Sequence, residues 1–504
     1  MTTSVALENN FDVVIVGSGL TGLTAAYYIL KRNVGLNVLI LEKNDAPGGR
    51  ILLGTIGQAY YGSYSQKNIV KLLTELNIPT DGNPSEQQRP DNQKDFSFLT
   101  TTDVSRFASA QVYHFLKLLN SMTTGVRFAP DRAIISKNVD HQNLGKMSLK
   151  ELIERTVSPG RPRGLCESLL RVCCPGIESL DEVSALWFLV MLTGAGGVFA
   201  KFAASLSKRK RFFIEGGFEL LVKKLEQRII DLGGNIRRSE NVVKIEDNDR
   251  AILVTTAVRD ERKRFKSECI IVAVPPPSNA QIIAETKLPK SFLESQKFYQ
   301  NGRNTFFRAS YEREFWTASS FVIEATLMGS NLRTIYAATE GKRKSAVLGG
   351  FSSANNPNEI IAALGKSLRR LGRVSECMSC ETSDVSPVHF LRPCSLEYHV
   401  NPLLTSSSAQ RVQLAASEFA SQWPGTVDGA IEAGERAARA ILSRTRPQAL
   451  GINDLVEGPS LGVGQEMRGP LEDVFSHGEA IGRAHKICLG LNVCLFFSLL
   501  VNAY

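Results

Sequence analysis

The sequence predicts an α/β (α+β) fold, and three observations carry that expectation. Residues 11–50 read Phe-Asp-Val-Val-Ile-Val-Gly-Ser-Gly-Leu-Thr-Gly-Leu, then a helical stretch, then Val-Leu-Ile-Leu-Glu-Lys and Gly-Gly-Arg, a strand–helix–strand unit. Strand-like segments at Val242–Ile245, Ala251–Val258 and Cys269–Val274, and a strand-rich block over 305–352, alternate with helical stretches. At 504 residues the chain is too long for one small core, so two domains are expected.

In the first unit, Val13–Val16 is an apolar, β-branched run, as a buried parallel strand should be. Gly17 allows the tight turn that brings Ser18 round. Gly19 has no side chain to hold the backbone away from a pyrophosphate, and Gly22 lets the next helix sit close on the strand. That helix starts with unpaired N–H groups and a positive dipole end directed at phosphates. Glu42 stands twenty residues after Gly22, where a carboxylate can accept hydrogen bonds from ribose hydroxyls. Gly48-Gly49 can turn the chain back, and Arg50 then offers a planar fork to a phosphate. This extension points to FAD rather than to NAD alone. The alternative is a Gly-rich turn without a ligand; the flanking strand, the helix and the acid weigh against it.

Hydrophobic residues make up 43% and charged residues 22%, ordinary values for a globular protein. Much of the net charge of +9 sits in Lys208-Arg209-Lys210-Arg211, Arg262-Lys263-Arg264 and Lys342-Arg343-Lys344. No nucleic-acid module accompanies them, so solvated faces and no nucleic-acid partner are expected. Nine cysteines form no disulfide framework, and the first ten residues are polar with no apolar segment after them. An intracellular, reducing compartment follows. Cys377-Met-Ser-Cys380 stands without a second pair, so no metal site is expected, and Cys173-Cys174 reads as core.

Tyr60–Asn77 reads as a turn and a helix, 78–95 as an exposed linker, and 103–230 as mostly helical. Ser179-Leu-Asp-Glu182 resembles a capping box ahead of the eighteen uncharged residues Val183–Ala200. That length nominates a membrane span, but Gly194-Ala-Gly196-Gly197 would break it, so a buried helix is expected. Arg211–Gly217 leads into a helix, Pro275-Pro276-Pro277 ends a strand, and 357–371 is helical. The last patterned module is Arg411–Leu442, with a loosely patterned tail over 443–504. Ile487–Tyr504 holds eighteen uncharged residues behind Arg483, His485 and Lys486, which fits either a short C-terminal membrane anchor or an interface-lying apolar tail.

These residues together resemble the flavin-dependent monoamine oxidases. Four blocks carry the likeness: the glycine fingerprint with Gly48-Gly49-Arg50; Glu182-Val-Ser-Ala-Leu-Trp-Phe-Leu189 with Gly196-Gly197; Val272-Ala-Val-Pro-Pro276; and Gln422-Trp-Pro-Gly-Thr-Val-Asp-Gly-Ala-Ile-Glu-Ala-Gly-Glu-Arg-Ala-Ala-Arg439. The resemblance implies a Rossmann-type FAD-binding domain, from 10–88, 213–290 and 391–445, interleaved with a mixed sheet-plus-helices substrate domain from 89–212 and 291–390. Gly17, Ser18, Gly19, Leu20, Thr21 and Gly22 then fall at the pyrophosphate, Glu42 and Lys43 at the ribose, and Gly49 and Arg50 at the second turn. Val242 and Val243 fall at the adenine side, and Ser417 and Glu418 match the family's Gly-Thr-Glu block. Trp423 is the candidate cavity-lining residue, and the small-residue face of Gly429, Ala430, Ala433, Gly434 and Ala437 suits a close-packed closing helix.

The chain departs from the family where the chemistry lies. The cysteine that tethers FAD falls at Pro402, Cys394 matches a different cysteine, and the stretch from Tyr398 to Glu418 is shortened. Non-covalent FAD is therefore expected. A cage tyrosine falls at Thr426 and the lysine near the flavin falls at Phe306, with Arg303 and Arg308 as neighbours. The resemblance implies oxidative deamination of primary or secondary amines with O₂ as acceptor, giving aldehyde, ammonia and H₂O₂. Alternatives are an FAD-binding protein without full activity and a polyamine oxidase. The expected partners are a small-molecule amine, O₂, a membrane through the tail (the mitochondrial outer membrane, by resemblance) and a second copy of the chain.

Overall fold

A computed structural model describes residues 6–52, 61–63, 66–81, 106–124, 126–128, 133–135, 141–173, 176–177, 179–198, 200–201, 211–214, 216–248, 250–258, 261–288, 290–302, 305–313, 324–325, 331–340, 343–354, 356–367, 374–381, 389–393, 411–452 and 454. Its centre is a seven-stranded sheet in the order Asn235–Arg237, Val38–Leu41, Ala6–Val16, Glu261–Val272, Ile252–Val258, Asn241–Asp247, with Val412–Leu414 also paired to Glu261–Val272. Val13–Val16 runs parallel to Val38–Leu41 on one side and to Cys269–Val272 on the other. The last three strands of that order form an antiparallel meander.

The alternation of side chains along a strand explains why this sheet is covered on both faces. Val13, Ile15, Val38 and Ile40 pack into one cluster with Leu23 and Ile29 of the first helix, Leu20–Leu30, and Ile431 and Ile441 of the closing helix, Val427–Thr445. Val14, Val16, Leu39 and Leu41 pack into a second cluster, which continues into Phe115, Leu169 and Phe188 of the helical region. Each such fully buried aliphatic side chain contributes about 1.5–3 kcal/mol.

A separate five-stranded antiparallel sheet takes Glu324–Ala325, Leu332–Glu340, Arg343–Ser352, Thr305–Tyr311 and Val374–Glu381 in that order. The helix Pro357–Ser367 covers it through Ile360 and Leu364, against Phe307, Ala309 and Leu348.

Several local expectations change. Residues 103–230 hold the helices Arg106–Thr124, His141–Lys146, Leu149–Thr156, Arg161–Cys173, Ala185–Gly194 and Gly217–Asp231, but also the hairpin Val126–Phe128 with Ala133–Ile135 and the strand Arg211–Ile214. The box at Ser179 caps only a 3₁₀ turn, Leu180–Glu182. Tertiary pairing then holds Val183 and Ser184 extended: Leu149 N donates to Val183 O and Ser184 N to Leu391 O. The real cap of the apolar helix is Ser184, whose Oγ accepts from Trp187 N at 3.3 Å. That helix ends at Gly194 and lies buried in the core.

The start of the expected linker is also structured. Ile78 is buried and Thr80–Asp81 pairs with the strand Arg211–Ile214; residues 82–95 lie outside the described residues. The third late strand begins at Glu261, earlier than its apolar pattern, because residues 261–267 pair with Ile252–Val258 on one side and 263–267 with the start of Ala6–Val16 on the other. Pro276 opens a short helix, Pro276–Ile282, as proline can at a first turn. No helix among the described residues is long and apolar enough to cross a membrane. The tail segment 487–504, with Arg483, lies outside the described residues, as do Arg303, Cys394, Tyr398 and Pro402.

Candidate cofactor and amine site

The first turn is built from main chain. Gly17 takes φ +95°, and a Cβ there would lie 3.0 Å from Ala273 O. A Cβ at Gly22 would lie 2.0 Å from Gly17 O, so only glycine lets the first helix approach this closely. Gly19 is different: a Cβ there would meet nothing within 4 Å. It caps the first helix without a side-chain hydrogen bond, and no acid stands in that first turn. The first N–H groups, at Leu20 and Thr21, have no intrahelical partner. Gly49, at φ +57°, crosses over Gly19, and Gly48 N donates to Ser18 O at 2.9 Å.

Glu42 follows the second strand and is buried. Its Oε2 accepts from both Ser18 N and Ser18 Oγ at 2.7 Å, and Oε1 accepts from Asn44 N at 3.0 Å. The acid thus ties the glycine turn to the end of the second strand. Lys43 beside it is exposed. Ser239 N donates to Asn44 O and Glu240 N to Glu42 O, which brings the start of Asn241–Asp247 alongside. Val242 pairs with Thr256 and Lys244 with Thr255, so Val243 sits at a register shift, a bulge that takes backbone out of the ladder. Val242 is buried and Val243 exposed.

Arg50, the expected phosphate fork, is held by a carboxylate of the chain itself. Its fork closes on Glu418, at 2.5 Å to Oε1 and 3.1 Å to Oε2, and Nη2 also donates to Ser417 Oγ at 3.1 Å. The reason is a buried carboxylate within reach: Glu418 is 3% exposed, and His389 Nδ1 lies 2.7 Å from its Oε1. Burial pushes the Glu418 carboxyl up, but the Arg50 charge and the His389 hydrogen bond outweigh it and hold it well below the usual carboxylate range. Three remote stretches of sequence meet in this cluster.

Trp423 stands at the joint with the helical region. It takes φ +51°, is buried, and donates its N–H to Gly194 O at 2.9 Å. The Nζ of Lys201 lies 5.6 Å from its ring centroid. Thr426 donates to Trp423 O at 2.7 Å and accepts from Gly429 N at 3.3 Å, so it serves as the cap of the closing helix. Phe306 stacks edge-on against Phe351 at 5.6 Å in the five-stranded sheet.

Residues 20–442 match the family described as flavin containing amine oxidoreductase. The chain belongs to that family. Curated relatives include amine oxidase [flavin-containing] B of Cavia porcellus, 26% identical over 471 residues and 87% of each chain. The Homo sapiens protein of the same name is 25% identical, over 86% of this chain and 87% of that one. Among solved structures, a wild-type putrescine oxidase bound to putrescine superposes with a TM-score of 0.71 at 18% identity, over 87% of this chain and 100% of that one. A cyclohexylamine oxidase from Brevibacterium oxydans gives 0.72 at 20% identity, over 86% and 99%. At such identities the solved structures report the fold alone.

As a flavin containing amine oxidoreductase, the protein uses FAD, and the turn fits it. The open side of Gly19 and the bare N–H groups of the first helix suit a diphosphate, which a Cβ at Gly19 would crowd. Two residues had no assigned role in the sequence reading. His389 carries no local signature, because its partner Glu418 is 29 positions away. Lys201 carries the one signal that could have marked it: it is the first charge after Val183–Ala200.

Proposed function

We propose that this chain oxidises primary or secondary amines at a non-covalently bound FAD, with O₂ as acceptor; water hydrolyses the imine, and the products are aldehyde, ammonia (a primary amine where the substrate is secondary) and H₂O₂. The observation that carries it is the glycine cradle left open at Gly19 in a chain of this family. FAD, when bound, supplies the two-electron acceptor. Gly17–Gly22 would hold its diphosphate by main-chain N–H groups, Glu42 and Lys43 its ribose, and the Val242–Val243 bulge its adenine side. Gly49 closes the cradle, and Arg50 acts by fixing Glu418 and Ser417 beneath it. The start of the closing helix, at Thr426, offers a positive dipole end to the negative charge that collects on reduction. Trp423 walls the amine side.

The absence of a thiol at Pro402 supports non-covalent FAD. In the same reading, 10–88, 213–290 and 391–445 form the FAD-binding domain, and 89–212 and 291–390 the substrate domain. The uncharged stretch 487–504 behind Arg483, His485 and Lys486 supports attachment to a membrane, and the family resemblance supports a homodimer and an outer mitochondrial location. The test is direct. Purified protein should be yellow and release its colour into the supernatant on acid precipitation. Anaerobic addition of amines should bleach the visible flavin band, and air should restore it. A coloured pellet would refute the non-covalent reading; flavin that no amine bleaches would refute the oxidase.

A further inference from the structure

A buried cation packed against Trp423 stands without an anion among the described residues. Lys201 is 8% exposed, yet residues 183–214 contain no Asp or Glu. Among the described residues it makes no ion pair, and its one aromatic contact is the Trp423 ring at 5.6 Å. Its titratable neighbour Cys173 has its thiol pushed up to about 12 by burial, so it stays neutral and supplies no negative charge. An ammonium taken out of water needs a counter-charge, and an indole face offsets only part of that need.

The position of Lys201 is as telling as its isolation. Trp423 is pinned to Gly194 O on one side and to the Thr426 cap on the other. Lys201 therefore sits at the joint between the apolar helix Ala185–Gly194 and the start of the closing helix. Building on the oxidase reading above, we propose that Lys201 selects the substrate: an amine that also carries a carboxylate, that is, an amino acid, whose imine hydrolyses to a 2-oxo acid in place of an aldehyde. The carboxylate takes a charge-assisted hydrogen bond from Nζ, over the Trp423 indole, in a poorly hydrated setting that strengthens it. A monoamine, which has no carboxylate, leaves the cation unanswered. A diamine brings a second cation towards it and is repelled.

The test uses the holoenzyme and three probes that differ in charge: phenylalanine, phenethylamine (the same skeleton without the carboxylate) and cadaverine. Wild-type kcat/KM should favour phenylalanine over both amines by about tenfold or more, the worth of one charge-assisted hydrogen bond. Lys201→Met should raise KM for phenylalanine by about the same factor while kcat and the phenethylamine constants stay put. Lys201→Arg should keep the preference. Flavin content checks that each variant folds, and the wild-type preference needs no variant at all. Wild-type preference for either uncarboxylated amine, or equal losses for phenylalanine and phenethylamine in Lys201→Met, overturns the proposal. Phenylpropanoate, which cannot be oxidised, separates this failure from that of the oxidase reading. Its perturbation of the flavin spectrum should weaken about tenfold in Lys201→Met even if no amine bleaches the flavin. Equal binding to both proteins would count against Lys201 alone.

Discussion

Two glycines three residues apart do opposite work. At Gly22 a methyl group would drive into Gly17 O, while at Gly19 it would project into empty space. Gly22→Ala should therefore lower stability by about 2–4 kcal/mol, read as a fall in the unfolding midpoint of the flavin-free protein. Gly19→Ala should leave that midpoint within about 0.5 kcal/mol and instead lower flavin content. Both glycines were legible from their spacing alone. The fate of Arg50 was not, because its fork answers to Glu418, 368 positions away. Glu418→Gln leaves Arg50 and His389 facing a neutral amide and should cost about 3–5 kcal/mol at neutral pH. The sign with pH follows from the lowered carboxyl. Its contribution is present above the unfolded value of about 4.3 and fades as pH falls towards the folded one. Unfolding curves of wild type and variant should thus converge in acid; a gap that stays constant would show that charge is not the cause.

Helices and strands were legible wherever one period dominated. Val13–Val16 and Val38–Leu41 lie as their apolar runs require. The Ser179 box misled because a cap motif reports only local competition, whereas Val183 and Ser184 are held extended by partners at Leu149 and Leu391. The closing helix shows why its small face matters: a Cβ at Gly434 would lie 2.5 Å from Thr21 O in the first helix. The same helix reaches a second element through Asp428, which accepts from Ile69 N at 2.9 Å and Asn68 Nδ2 at 2.8 Å and so holds the start of Lys67–Glu75. Burial raises the Asp428 carboxyl to about 6 despite those bonds. A raised acid keeps its proton longer in the folded state, so stability from this group declines as pH rises from about 4 to 6. The decline amounts to about 3 kcal/mol. Asp428→Asn should remove it; chemical denaturation at successive pH values would reveal an unchanged slope if the assignment were wrong.

At the scale of the whole molecule, the sequence foretold a nucleotide-binding sheet and a second mixed region, but not how the sheet is closed. The strand Val412–Leu414 is only three residues long, and its neighbour Glu261–Val272 lies far earlier in the chain. Such pairing is invisible to any local window. If 487–504 serves only as an anchor, its removal should leave flavin content and unfolding midpoint unchanged. Cell fractionation of the shortened protein would then decide the membrane proposal: loss of the pelleted fraction supports it, and an unchanged distribution removes it.

That late strand also sets a timetable. During synthesis the glycine turn leaves the ribosome first, yet the sheet beneath it waits for Val412–Leu414 and the helix over it for Val427–Thr445. The nascent chain therefore carries an unfinished pocket through most of its translation. A message cut short anywhere upstream of those codons would yield a polypeptide unable to retain its pigment, however complete its amino-terminal fingerprint.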